Sequence, residues 1–248
     1  MYIKRSFTAG IFLVLLFFGW PTYLIGQKNE NQQLVSNILD KAQHAYGPNE
    51  IIENGRIYIP IHPRANGDPY FLDSDWINGM VVIKGDKFSN LNVKYNVNLE
   101  ELILKKEKEN QESHIPIVLN YNFIDSFELE GHHFINLSVM PFGDELAGFA
   151  ELIYQGEIIF LIKHTKEFLN RYSQSNPYGA YSKLNSTYYI YETETLTRLG
   201  TKKSFLNYFE PIRKEIKKFM RQNRIKYKKA SHIQLYELIK YCDELSHN

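Results

Sequence analysis

Hydrophobic and polar positions alternate with a period of two through the middle of the chain and recur at helical spacing on either side of it. Leu34, Val35, Ile38, Leu39, Ala42 and Ala45 mark one face of a short amphipathic helix that Gly47 and Pro48 end. From about residue 56 the period changes. Ile57, Ile59 and Ile61 alternate with Tyr58 and Pro60, and the proline suits an edge strand. Residues 79–84 and Phe88 flank Gly85 and Asp86, a hairpin turn. Residues 91–97, 99–105 and 115–123 extend the strand pattern. Phe127 and Leu129 face His133, Phe134, Ile135 and Leu137 across Glu130 and Gly131. Residues 149–154 and 157–163 flank Gln155 and Gly156, the clearest hairpin, and residues 188–191 and 195–199 form a last pair.

Consecutive short strands with frequent turns and no helices between them predict antiparallel pairing rather than a parallel α/β fold. The fold class expected is α+β, mostly β: an antiparallel β-rich body (sandwich, barrel or curved sheet) with a short N-terminal helix and a C-terminal helical pair. Helical spacing returns near the C-terminus. Ser204 could cap a turn carrying Phe205 and Phe209, and Pro211 suits the first turn of a helix whose stripe is Ile212, Ile216, Phe219 and Met220. Ser231 and Gln234 have capping-box spacing ahead of Leu235, Leu238, Ile239, Cys242 and Leu245.

The N-terminus changes the picture from fold to location. Lys4 and Arg5 precede an apolar run over residues 7–18, then Gly19, Trp20 and Pro21, and the chain turns polar at Gln27. This is the pattern of a secretory signal, with cleavage expected after Gly26. The alternative is a retained membrane anchor, since residues 7–25 approach the roughly 20 needed to span a bilayer. Cys242 is the only cysteine, so no cysteine near the cut could carry a lipid and no internal disulfide can form. The expected organisation is a signal peptide (1–26), a spacer and helix (27–55), the β-rich body (56–200) and a basic helical segment packed on it (201–248).

The net charge of +1 hides a polarised chain. Between residues 202 and 229, 11 Lys and Arg stand against Glu210 and Glu215 alone. Lys214, Lys217, Lys218, Arg221, Arg224 and Lys228 are the candidate contacts to an anionic partner, such as an envelope surface or another envelope protein. The plainer reading is a solvated helix face drawn to the acidic remainder of the same molecule. No sequence-reading module accompanies the charge, so nucleic acid is not expected as a partner. Any membrane contact after signal cleavage would be peripheral.

Chemistry-bearing motifs are scarce. Asn66, Asp68, Asp73, Asp75 and Asn78 supply oxygen ligands, but their spacing is not that of an EF-hand and is equally turn chemistry. His132 and His133 point to opposite faces of a strand, while His62, His114 and His164 are scattered; no HExxH or cysteine spacing supports zinc. There is no GxSxG elbow and no phosphate-binding glycine loop. Carboxylate pairs such as Asp144 and Glu145 are too common to imply glycosidase chemistry. Cys242 lies on an apolar stripe and reads as core. Tyr178 and Tyr181, in the loop over residues 171–185, are candidate ligand contacts through their aromatic faces. No catalytic, metal or cofactor residue is assigned from the sequence.

Several stretches together resemble a family of uncharacterised secreted proteins of Bacteroidota. They are residues 67–71 (GDPYF) and 76–79 (WING); Lys94, Tyr95 and Asn96; Gly148 and Phe149 ahead of Tyr154, Gln155 and Gly156; and residues 201–204 (TKKS). The resemblance implies an exported β-rich envelope protein and brings no activity with it. The functional expectation is therefore a non-enzymatic envelope binding or structural module. The alternatives are a hydrolase acting on an envelope polymer and a component of an export or surface assembly.

Overall fold

The computed structural model describes residues 55–72, 75–107, 114–142 and 146–247. The signal segment, the expected helix over residues 34–45, Asp73, and the pair Asp144 and Glu145 lie outside the described residues. No helix among the described residues is long and apolar enough to cross a membrane.

The body is one antiparallel sheet. Its strands are β1 (Arg56–Ile57), β2 (Ile77–Ile83), β3 (Asp86–Asn96), β4 (Glu101–Glu107), β5 (His114–Val118), β6 (Ile124–Leu129), β7 (His132–Asn136), β8 (Phe149–Gln155), β9 (Ile159–Thr165), β12 (Asn185–Glu192) and β13 (Thr195–Arg198). They run in the order β1-β5-β4-β3-β2-β6-β7-β8-β9-β12-β13. The short strands β10 (Phe168–Leu169) and β11 (Ala180–Tyr181) pair separately, β11 inside the stretch 171–185 that the sequence suggested was a loop and β10 just before it. Tight turns set the register. Glu130 and Gly131 both have positive φ, as do Lys84 and Gly85, the conformation of a two-residue hairpin turn. The second turn falls one residue earlier than the sequence suggested.

Strand alternation divides the sheet into two faces. Val81, Phe127, Phe134, Glu151, Ile162 and Tyr188 are successive cross-strand partners and share one face. On that face Tyr95 and Phe149 lie with ring centroids 5.9 Å apart. Their strands, β3 and β8, are four spacings apart, about 19 Å in a flat sheet. The sheet therefore curls inward around Tyr95, Phe127, Phe134 and Phe149, all buried. Of the three expected forms, the curved sheet is the one found, with β1 and β13 as its open edges.

The other half of this face is covered by helices α1 (Lys202–Tyr208), α2 (Arg213–Gln222) and α3 (His232–Ser246). The α1 cap is Thr201, with Ser204 its reciprocal partner; Pro211 sits in the short turn before α2. Ser231 and Gln234 close a capping box on α3, as their spacing predicts. Phe205, Ile216, Leu238, Ile239 and Cys242 are buried against Phe160, Ile190 and their neighbours. The inner face thus carries two apolar cores, one filled by the curled sheet and one capped by helices.

Candidate functional site

Polar groups meet between these two cores. Glu151 is the inward residue between Phe149 and Ile153 on β8, and only 2% of its surface is exposed. The register shifts between Leu152 and Tyr154, so a bulge at Ile153 bends the strand beside it. His132 starts β7 two residues before Phe134 on the same face. His164 follows Phe160 and Ile162 inward on β9, opposite Ser186 of β12. His232 is the first residue of α3, held by the Ser231 cap.

All three imidazoles bond the one carboxylate. His132 Nδ1 lies 2.5 Å and His232 Nδ1 2.8 Å from Glu151 Oε1. His164 Nε2 lies 2.8 Å from Oε2, and His164 Nδ1 lies 2.9 Å from Ser186 Oγ. With Nε2–H donating to Glu151, Nδ1 of His164 accepts the Ser186 hydroxyl. Phe71 seals the side, its ring 5.0 Å from His132 and 4.7 Å from His164. Residues 67–71 place it there: Pro69 O accepts Val97 N–H, and Phe71 N–H donates to Tyr95 O.

Burial pushes the Glu151 carboxyl up. The hydrogen bonds and charge of His132 and His164 outweigh that and hold it well below the usual carboxylate range. The same hydrogen bond raises His132 above its ordinary value, against partial burial.

This donor set fits a divalent transition metal. His132, Glu151 and His232 each offer one ligand atom within 4.8 Å of the others. Around a tetrahedral zinc with ligands at about 2.0–2.1 Å, donors sit roughly 3.3 Å apart, so each of these two imidazoles need draw back from Glu151 by under about 1 Å. Two histidines and one glutamate leave the fourth position open. His164 then holds the ligating carboxylate from behind and is itself oriented by Ser186. The cluster opens into a cavity of about 410 Å³ whose wall includes Ile162, Leu184, Tyr188, Lys228 and Leu235.

The sequence-derived candidates are distributed differently. Lys214, Lys217, Lys218 and Arg221 lie exposed on α2, and Arg224 in the turn after it. None of these five forms an ion pair with the body among the described residues, while Arg213 pairs with Glu210. Lys228 is exposed like them but differs in its contacts: its Nζ donates to Ser186 O at 2.9 Å and lies 4.3 Å from the Tyr188 ring. Tyr181 lies edge-on to Phe168 and His62 and lines a second cavity of about 610 Å³ with Asp68, Trp76 and Lys166. Tyr178 is exposed, with the Arg64 guanidinium 5.5 Å from its ring centre. The two tyrosines do not form one site. Of the acidic and amide group, Asp68 is occupied by Lys166 Nζ and the Tyr70 N–H, and Asn66 bonds Ser175 O and Asn176. These are turn and ion-pair roles. Cys242 is fully buried, and burial pushes its thiol up, so it is core and not a nucleophile.

Glu151 and His232 are not among the candidates named from the sequence. A signal for Glu151 was present: a lone carboxylate at an inward position of an alternating apolar strand. His232 carried none, because its approach to β8 depends on how α3 docks. The chain matches no family model, no curated protein and no solved structure.

Proposed function

We propose that this is an exported envelope module that binds a divalent transition-metal ion, of which zinc is the type, at His132, Glu151 and His232. The observation that carries the reading is the convergence of two Nδ1 atoms on one buried carboxylate oxygen, next to an open cavity. His164 alone serves Oε2, while two imidazoles meet at Oε1. The donors come from two strands and a helix, so the fold brings two imidazole nitrogens and a carboxylate oxygen to one point beside the cavity. Export rests on the N-terminal signal pattern. Binding is favoured over hydrolysis because Glu151, the one carboxylate among the cavity-lining residues, is taken as a ligand and His164 is held between it and Ser186, so neither is placed as a general base beside the metal. The test is calorimetric titration of chelator-treated protein with zinc. One ion per chain, lost in the double variant His132→Ala, His232→Ala, supports the reading. No binding by a folded chain refutes it.

A second role is favoured by the α2 face. Lys214, Lys217, Lys218 and Arg221 are exposed and form no ion pair among the described residues, so they are available to an anionic envelope surface. Membrane fractions of the producing cells should release the chain at high salt. A chain free in the soluble fraction at low salt would remove this role.

A further inference from the structure

We propose that the metal-loaded cavity takes an anionic oxygen group, a carboxylate or phosphate carried on a small apolar body, with Lys228 as its second anchor. This rests on the metal reading above and adds the class of ligand.

A divalent ion and Lys228 would stand in the cavity against Glu151, the one carboxylate among its lining residues, and the metal-bound imidazoles are neutral. Two positive charges are left over along one wall of the cavity, which an anion would offset.

The position of Lys228 is built. Ser186 supports both halves of the site: its hydroxyl bonds His164, which holds Glu151, and its carbonyl accepts from Lys228 Nζ at 2.9 Å. Residues from Glu151 through His164 and Ser186 to Lys228 thus form one chain of contacts along the wall. Lys228 has three N–H donors. One goes to Ser186 O and one side of the ammonium faces the Tyr188 ring, and no carboxylate pairs with it among the described residues. Burial and the charge of Arg198 both lower its pKa, which is the environment of a cation short of a counter-ion.

The remaining wall selects the rest of the ligand. Ile153, Ile162, Leu184 and Leu235 offer apolar surface beside this polar strip. A bare inorganic anion would leave that surface wet, whereas an anion on an apolar body covers it.

The experiment uses the full chain loaded with cobalt(II), whose visible absorption reports a change in its own ligands. It is titrated with benzoate and, separately, with phenyl phosphate. Saturable spectral change with either probe supports the proposal, and whichever binds more tightly identifies the anion. Lys228→Met should take up cobalt as the wild type does and bind the anion about tenfold or more weakly, the loss expected for one charge-assisted hydrogen bond. Cobalt bound one per chain with a spectrum that neither probe moves overturns this proposal and leaves the metal site standing. Unchanged anion affinity in Lys228→Met overturns the part given to the lysine. Failure to take up cobalt removes the metal reading and this proposal with it.

Discussion

Replacing Glu151 by Gln keeps the volume of the side chain and removes its charge. In the metal-free protein that charge accepts from three imidazoles. A hydrogen bond to a charged group contributes about 1.5–3 kcal/mol. The bond from His164 is buried and counts in full, while His132 and His232, with side chains 32% and 31% exposed, count for much less. The glutamine oxygen can still accept from His132 and His232. Its amide can donate to His164 if that ring changes tautomer and Ser186 Oγ turns to accept. The net loss is then about 2–3 kcal/mol, well below the sum of the three bonds. For a chain of this length that lowers Tm by roughly 4–12 °C. Thermal unfolding followed by circular dichroism, with chelator and then with zinc, gives the decisive contrast. Zinc at 100 times its Kd should stabilise the wild type by about 2.7 kcal/mol, and the glutamine variant hardly at all. A variant as stable as the wild type, or one equally stabilised by zinc, would refute the role given to this carboxylate.

Further outcomes follow from the same contacts. Glu151 titrates in the folded, metal-free protein below its ordinary 4.5, so its stabilisation is present above 4.5 and lost as pH falls through the folded value. His132 titrates above its ordinary 6.5, so its contribution is full below 6.5 and lost as pH rises through the folded value. Tm in chelator should therefore peak between these limits, and a flat profile from pH 4 to 8 would count against the pair. Zinc affinity should rise with pH over the range in which His132 sheds its proton. Ser231→Ala removes the α3 cap at a cost of about 1 kcal/mol and frays the turn carrying His232, so zinc affinity and Tm should fall together. A Cβ at Gly156 would sit 2.5 Å from the Tyr154 hydroxyl and closer still to the Asp243 carboxylate. Gly156→Ala should therefore cost about 1–3 kcal/mol, read as a lower urea midpoint; an unchanged midpoint would show that the hairpin is looser than described.

Much of the architecture is written in local pattern. Alternation marks most of the strands, Glu130 with Gly131 fixes a turn, and Ser231 with Gln234 caps a helix, because each depends on neighbours a few residues away. Which strands close around which core is not local. The curl that brings Tyr95 to Phe149 depends on four intervening pairings, and sandwich, barrel and curved sheet share the same period of two. The site is legible only in part for the same reason. Glu151 and His164 each stand at an inward position of an apolar strand, a cost that invites a partner. Their meeting, and the arrival of His232 from 81 residues away, are properties of the assembled sheet and helix. Charge runs mislead in a related way: Lys228 belongs by sequence to the basic segment and by structure to the cavity wall, because the buried Tyr227 turns the chain there.

Whether the three donors hold a metal ion is read from an anomalous difference map, at the zinc absorption edge, of crystals grown with zinc. One strong peak is expected, at about 2.0–2.1 Å from His132 Nδ1, His232 Nδ1 and a Glu151 oxygen. Imidazoles still hydrogen-bonded to Glu151 with no peak between them, or zinc bound only elsewhere on the surface, would contradict it.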